Sequence, residues 1–469
     1  MSKAYDIVVI GSGPGGYVAA LKAAEMGAKV ALIEKDKPGG TCLNRGCIPT
    51  KAFLAGAELL HDIRHRAGIL GIQVSGEATV DWSTLLKRKN QVLDGQRKGL
   101  HFLFGKREID FIEGTAHFEG LGKIAVSGGK EDLTVEADKV IIATGSRPAR
   151  IPGWPVSDKV VTSDEALDWT ELPESLLIVG GGVIGCEFAC LLAEFGVKVT
   201  IVEMLPQLIT GMDGDLAKSL LKVFKKRKID CLLETQVEKV EETDAGVKAT
   251  LSNGDSIEAS RMLVSVGRRP NTEELALDKL GIDVERGFIP VNDRMETTVV
   301  GHYAIGDVNG RILLAHAASA MAIVAVENAL GADRESTAPV PWCVYTFPEI
   351  AGVGQTEDQA RDRGIPIAMG TFPFTALGKA QAWGDPEGFV KVIRNRETDV
   401  IVGIHALGHG ATEFIAAAGV LLHQKATAHD IEQMVFAHPT MSEAIKEATE
   451  VASFAPLHLP PLRRHRVSV

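Results

Sequence analysis

A 24-residue segment occurs twice in this chain: residues 11–34 return, at an offset of 169, as residues 180–203. Ten positions are identical between the copies. Among them are Gly11, Gly13 and Gly16 against Gly180, Gly182 and Gly185, and the closing Glu34 against Glu203. Each copy begins with an apolar β run (Ile7-Val8-Val9-Ile10; Leu177-Ile178-Val179) and passes through a glycine turn into a helix-period stretch. A second β run then ends on Glu. Strand, glycine turn, helix and strand with a terminal acid make the βαβ unit that holds a dinucleotide. Its duplication predicts an α/β chain with two such sites.

The spacing has a physical reason. The first glycine allows the tight turn, and the second lets backbone approach a pyrophosphate at the helix N-terminus, where free N–H groups and the helix dipole favour an anion. The third lets helix pack on strand. Glu34 and Glu203 are placed to accept hydrogen bonds from ribose hydroxyls. Glu203 also selects, because a 2′-phosphate there would meet a carboxylate, and Met204-Leu205-Pro206-Gln207-Leu208 contains no Arg to neutralise it. The second site should prefer NAD(H) to NADP(H).

At 469 residues the chain has room for about three domains. Its 50 Lys+Arg against 61 Asp+Glu leave a net charge of −11, which argues against nucleic acid as a partner. No run of ~18 apolar residues suggests a membrane span. The first strand, at residues 5–10, starts so soon after Met1 that no leader is expected, and a cytoplasmic protein is the expectation. Further β runs end in turn signals: Val140-Ile141-Ile142-Ala143 before Thr144-Gly145, Arg261-Met262-Leu263-Val264 before Gly267, and Tyr303-Ala304-Ile305 before Gly306-Asp307. Pro152-Gly153 and Pro270-Asn271 read as linkers. After about Pro339 short β runs precede helical stretches near 411–424 and 441–453, an α+β pattern, and residues 456–469 read as a loose basic tail.

Six cysteines in a chain of this length are no secreted disulfide framework. Two of them stand in Gly39-Gly40-Thr41-Cys42-Leu43-Asn44-Arg45-Gly46-Cys47-Ile48-Pro49-Thr50-Lys51. Two thiols without a further Cys/His pair do not make a zinc site. They are either buried bystanders or a redox disulfide. In a regular helix residues five apart lie roughly 8.7 Å apart at Cα, whereas a disulfide needs less than ~7 Å. Cys42 and Cys47 can therefore bond only if the backbone leaves the helix between them. Gly46 permits that departure, and Pro49 removes the hydrogen bond to the Arg45 carbonyl. Lys51, one turn beyond Cys47, would favour a thiolate there.

Taken together, GGTCLNRGCIPTK, the two βαβ repeats, Ala143-Thr144-Gly145, Ala304-Ile305-Gly306-Asp307 and His438-Pro439-Thr440-Met441-Ser442-Glu443 resemble the pyridine nucleotide–disulfide oxidoreductases from about residue 5 to residue 452. Within that family the motifs are most similar to members that oxidise the dihydrolipoyl group of lipoylated carriers. Those carriers serve 2-oxo acid dehydrogenase or glycine cleavage complexes, and the electrons pass through the disulfide and FAD to NAD. The resemblance implies an FAD domain at 1–146, an NAD domain at 147–270, a central part at 271–338 completing the FAD site and a dimerisation domain at 339–469. FAD would take the first repeat, with Glu34, Gly114, Thr144, Gly145, Ser146, Asp307, Leu314, Ala315 and His316 around it. NAD would take the second, with Val237 and Gly267. Glu187 stands where the first copy has Val18, so packing of a shared fold does not explain it. In the family the matching Glu pairs with the matching Lys, here Lys51, beside the flavin. His438 would be the base and Glu443 its orienter, reaching the disulfide of the other subunit of a homodimer. Proton transfer from an ordinary thiol to an ordinary imidazole is uphill by about 2.7 kcal/mol, and a carboxylate beside the ring narrows that gap.

One departure is visible: the family often has Glu-Gly where this chain has Met321-Ala322. Flavin contacts in that stretch are expected mainly from backbone. His405, His409 and Glu413 mimic a helical metal face, but Gly408 and Gly410 break the helix, and no metal is expected. Cys186 and Cys190 share a helix face and read as small hydrophobes, while Cys231 and Cys343 lack a reactive context. The rivals are a reductase of another substrate and a non-catalytic flavoprotein. Glutathione reductase-like enzymes usually take NADP, which Glu203 disfavours. Mercuric reductase-like enzymes usually end in a cysteine pair, absent from residues 462–469. No lipoyl domain precedes Met1, so the carrier is expected on another chain.

Overall fold

Both repeats fold as their glycines require. In the computed structural model, which describes residues 3–461, strand β1 (Lys3–Ile10) turns at Gly11 into helix α1 (Pro14–Glu25) and returns as β2 (Val30–Glu34), parallel to β1. Gly11 has φ +96° and its α-carbon faces the Ala143 carbonyl, so no side chain fits there. A Cβ at Gly16 would overlap the Gly11 carbonyl, and its absence lets α1 lie on the sheet. The second repeat gives Ser175–Val179, Val183–Glu194 and Lys198–Val202. Gly180 has φ +106°, and Gly185 packs on the Gly180 carbonyl as Gly16 does on Gly11.

The first sheet has seven strands, with β1 between β2 and Leu133–Ile142, and His302–Ala304 pairing parallel to the latter. Residues after 300 thus complete the unit that begins at residue 3. Helix Ala315–Ala329 packs against α1 through small side chains, including Ala19, Ala20 and Ala23 against Ala322, Ala325 and Val326, which lets the two helices approach closely. The second sheet has five parallel strands with Ser175–Val179 beside Arg261–Val264. A three-stranded antiparallel sheet (Val237–Thr243, Gly246–Leu251, Ser256–Ala259) packs beside it.

The two α/β units are tied by a short ribbon. Ser146–Pro148 pairs antiparallel with Arg268–Pro270, and Asn271 Nδ2 donates to the Thr144 carbonyl at 2.9 Å. Pro270-Asn271, which reads as a linker in sequence, is therefore part of a bonded strap. The third unit is a five-stranded antiparallel sheet in the order Trp342–Val344, Ile350–Gly354, Ile401–Gly408, Gly388–Asn395, Ile367–Pro373. Helices Ala411–His423 and Glu443–Ala452 cover it. Lys391 from this sheet is buried, and its Nζ meets Asp213 at 3.1 Å, Asp215 at 2.7 Å and Glu357 at 2.8 Å, joining the unit to the second α/β unit. Among the described residues no helix is long and apolar enough to cross a membrane. The end of the basic tail, residues 462–469, lies outside the described residues.

Candidate functional site

One pocket of about 2190 Å³ runs between the glycine turns of the two repeats, well beyond the ~300–1,000 Å³ that a single small ligand takes. Gly11, Gly13, Gly180 and Gly182 line it. The space a Cβ would take at Gly182 is open, and at Gly13 it is bounded only by the Gly40 α-carbon 4.0 Å away. Backbone N–H groups at the two helix starts can therefore be reached by a pyrophosphate. Gly16 and Gly185 lie outside the lining, where their missing side chains serve helix packing instead. Glu34 accepts from Ser12 N at 2.8 Å and Asp36 N at 2.9 Å, and Glu203 accepts from Gly181 N at 2.6 Å and Leu205 N at 2.8 Å. The repeat thus extends to its hydrogen bonds, and each carboxylate is fixed at the rim of its cradle. The pocket's shape and donors fit two dinucleotides.

Gly114, Thr144, Gly145, Ser146, Asp307, Leu314, Ala315 and His316 also line this pocket, as do Val237 and Gly267 on the side of the second repeat. Leu314 is the N-cap of helix Ala315–Ala329, so free N–H groups of that helix start face the pocket. Ser146 Oγ donates to Asp307 Oδ2 at 2.5 Å and accepts from Arg268 Nε at 2.7 Å. Arg268 carries no mark in the sequence beyond following Gly267. Met321 and Ala322 are both buried in the core beneath α1.

The cysteine segment breaks where its glycine stands. Helix α2 (Gly40–Arg45) holds Cys42, helix α3 (Cys47–His65) begins at Cys47, and Gly46 between them has φ −146° and ψ −114°. The two Cα atoms come to 4.7 Å and the sulfurs are bonded. A Cβ at Gly46 would stand 3.0 Å from the Thr41 carbonyl and 3.3 Å from the Cys42 Cα, so this close return leaves little room for a side chain. Both cysteines line the pocket.

Next to them, α3 presents Lys51 and helix Val183–Glu194 presents Glu187. Lys51 Nζ lies 2.9 and 2.8 Å from the two Glu187 oxygens. Glu187 is buried and also accepts from the Tyr345 backbone N–H at 3.0 Å, while the Tyr345 ring centre stands 4.2 Å from Nζ. A buried carboxylate is tolerable with such charge-assisted donors, and the ring adds a cation–π contact. Nothing in the sequence marks Tyr345, because its contribution is partly a main-chain donor, which any residue could supply.

His438 and Glu443 find each other but not the cysteines. His438 Nδ1 lies 2.9 Å from Glu443 Oε1, and Glu443 Oε2 accepts from Thr440 N at 2.7 Å. This arrangement leaves Nε2 outward on an exposed ring. The pair belongs to the third unit, outside the pocket.

The other thiols are held protonated. Burial pushes Cys190 up to about 11, Cys231 to about 12 and Cys343 to about 11, and raises Cys186 as well. His405 is buried in a strand and His409 lies beyond it, so His405, His409 and Glu413 share no helical face. Among the described residues one other grouping, His61, His65 and Glu194, has metal-like spacing. Arg227 lies 3.0 Å from His61 Nε2, and Arg64 lies 3.3 Å from Glu194 Oε1, so cationic charge already occupies that place.

Comparison with known proteins bears on this geometry. Residues 5–322 match the family model described as pyridine nucleotide-disulphide oxidoreductase, and residues 340–449 match the dimerisation domain of the same family. A protein named dihydrolipoyl dehydrogenase from Bacillus subtilis is 40% identical over 476 aligned positions, covering 98% of this chain and 100% of its own length. The crystal structure of LpdA from Mycobacterium tuberculosis superposes with a TM-score of 0.89 at 29% identity, over 95% of this chain and 99% of that one. The copper(II) complex of RclA from Escherichia coli, an HOCl-induced flavoprotein disulfide reductase, superposes with a TM-score of 0.86 at 30% identity, over 96% and 99%.

Proposed function

The chain belongs to the pyridine nucleotide-disulphide oxidoreductases, and we propose that within them it is a dihydrolipoyl dehydrogenase using FAD and NAD. The observation that carries this reading is the bonded Cys42–Cys47 pair, set in one pocket with two dinucleotide cradles and the Lys51–Glu187 pair. FAD belongs to the first cradle, with Gly11, Gly13, Glu34, Ser146 and Asp307, and NAD to the second, with Gly180, Gly182, Glu203 and Gly267.

The chemistry is thiol–disulfide exchange. A dihydrolipoyl thiolate attacks Cys42 Sγ, the Cys42–Cys47 bond breaks, and Cys47 leaves as a thiolate. The second substrate thiol then attacks the mixed disulfide, which releases the oxidised lipoyl ring and leaves the electron pair on the two cysteines. FAD held in the first cradle would supply a two-electron carrier between the cysteine pair and NAD, and Cys47 would be the thiolate that hands the pair on. Lys51 holds positive charge where negative charge develops, and Glu187 with Tyr345 fixes its Nζ. His438, held by Glu443 with Nε2 outward, is the base for the substrate thiols.

Because His438 lies outside the pocket of its own chain, it acts from a second copy, and the active form is a homodimer. The matched dimerisation domain supports that assembly. The partners are lipoyl domains of 2-oxo acid dehydrogenase or glycine cleavage complexes. The protein works in the cytoplasm, where a disulfide is typically a cycling catalytic group rather than a structural one. A steady-state comparison tests the reading. Dihydrolipoamide with NAD should exceed glutathione with NADP in kcat/KM by at least about a hundredfold. Faster turnover of another disulfide, or no turnover by FAD-loaded protein, would move the chain to a different reductase or to a non-catalytic flavoprotein.

A further inference from the structure

Four consecutive residues run from one cradle to the other. Directly after strand Arg261–Val264 of the second sheet, Ser265 Oγ lies 3.1 and 2.9 Å from the Val179 and Gly180 carbonyl oxygens, at the glycine turn of the second repeat. Val266 and Gly267 line the large pocket, and Gly267 has φ +118°, a conformation that favours glycine. The chain then enters the ribbon, and the Arg268 side chain meets two residues of the first cradle. Its Nε donates to Ser146 Oγ at 2.7 Å and its Nη2 to the Ser146 carbonyl at 2.8 Å, and Nε stands 3.7 Å from Asp307 Oδ2. The side chain is only 14% exposed, so water screens these contacts little.

The same contacts decide which way the Ser146 hydroxyl points. A guanidinium only donates, and a carboxylate only accepts. Ser146 Oγ therefore accepts from Arg268, and its single proton goes to Asp307 Oδ2, 2.5 Å away. Among the described residues no protein donor bonds to the other Asp307 oxygen, Oδ1. Asp307 lines the pocket, so one of its oxygens is fixed and the other is left for a hydroxyl of a bound dinucleotide. A cation suits this place. The pyrophosphate of a dinucleotide brings further negative charge to a pocket that Glu34 and Asp307 already line.

We propose that Arg268 is a positioning residue of the FAD site: from the second unit it orients the Ser146 hydroxyl, and through that hydroxyl the Asp307 carboxylate, for FAD held in the first cradle. The inference rests on the assignment of FAD to that cradle. Arg268 and Ser146 act in series. Without Arg268 the hydroxyl is free to turn away from Asp307. Without the hydroxyl, Arg268 is left 3.7 Å from Asp307 with nothing bridging them. The backbone pairing of the ribbon and the Asn271 bond to the Thr144 carbonyl do not use the Arg268 side chain, so the strap itself survives its replacement.

The test compares two affinities in the full-length protein. FAD affinity is read from the flavin that passes an ultrafilter over a dilution series of the holoprotein. ADP-ribose affinity is read by titration calorimetry at saturating FAD. ADP-ribose fills a dinucleotide cradle without a nicotinamide ring, so no electron transfer enters the result. Arg268→Met and Ser146→Ala should each raise the Kd for FAD by about tenfold or more, while the Kd for ADP-ribose stays within about twofold of the parent. The double variant should bind FAD no more weakly than the weaker single variant, because the two residues act in series. Arg268→Lys, which restores the charge and a single-point donor, should bind FAD more tightly than Arg268→Met. An unchanged Kd for FAD in Arg268→Met would overturn the proposal. So would a double variant weakened by the product of the two single effects, which would mean that Arg268 acts without Ser146. An Arg268→Lys variant no better than Arg268→Met would mark a packing role, and equal weakening of FAD and ADP-ribose would mark a collapsed strap; either result overturns it. A parent protein that retains no FAD would overturn the cofactor assignment, and this inference with it.

Discussion

At the residue scale, Glu203 shows how one carboxylate both binds and excludes. Gly181 N and Leu205 N hold it at 2.6 and 2.8 Å, so it cannot swing aside for a phosphate without losing two charge-assisted bonds. Glu203→Ala should therefore lower the NAD over NADP preference by about tenfold or more, read as the ratio of kcat/KM for the two cofactors. An unchanged ratio would mean that selection resides elsewhere in the loop. Two contacts were legible at this scale: the Cys42–Cys47 bond, from the break that Gly46 permits, and the Lys51–Glu187 pair, from the family resemblance and the departure of Glu187 from the repeat. Those of Tyr345 and Arg268 were not. Tyr345 reaches Glu187 from 158 positions away partly through a backbone N–H, and Arg268 reaches Ser146 across 122 positions. No local pattern encodes either contact.

At the scale of elements, the break between α2 and α3 was legible because helix geometry forbids the disulfide without it. Gly46 stands at the break, and the Cα separation falls to 4.7 Å from the roughly 8.7 Å of a regular helix. The repeats were legible for the same kind of reason, since their three glycines answer three separate steric demands. Gly16→Val tests the third of these. Its side chain would collide with the Gly11 carbonyl and lift α1 from the sheet, so the variant should retain little FAD, read from the flavin-to-protein absorbance ratio after purification. Full FAD content would show that α1 need not lie so close. Pro270-Asn271 reads as a linker because proline and asparagine signal a turn in sequence, whereas tertiary pairing with Ser146–Pro148 makes Pro270 the end of a strand.

At the scale of the whole molecule, the units are joined by buried charge as well as apolar contact. Lys391 is almost wholly buried among Asp213, Asp215 and Glu357, contributed by two units. Lys391→Met would leave those carboxylates unpaired and should cost about 3 kcal/mol or more in unfolding free energy, measured by denaturant titration. Asp215, through its Lys391 hydrogen bond, and Glu357, through the same lysine, are held below the usual carboxylate range. A depressed folded-state value stabilises above the unfolded value and loses that contribution as pH falls through the folded one, so the acid limb of stability should be shallower in Lys391→Met. An acid limb as steep as in the parent protein would contradict this. In sequence Lys391 is only a polar residue inside a β run, and nothing local marks its partners, the nearest of which is 34 positions away.

The proposed electron path is read most directly by anaerobic titration of the FAD-loaded protein with two electrons, watching for the long-wavelength band of a thiolate lying against oxidised flavin. The band should appear in the parent protein on reduction, be present before reduction in Cys42→Ser, where Cys47 is free, and be absent from Cys47→Ser while FAD is retained. A parent protein that takes up two electrons without the band, or a Cys47→Ser variant that still shows it, would contradict the account.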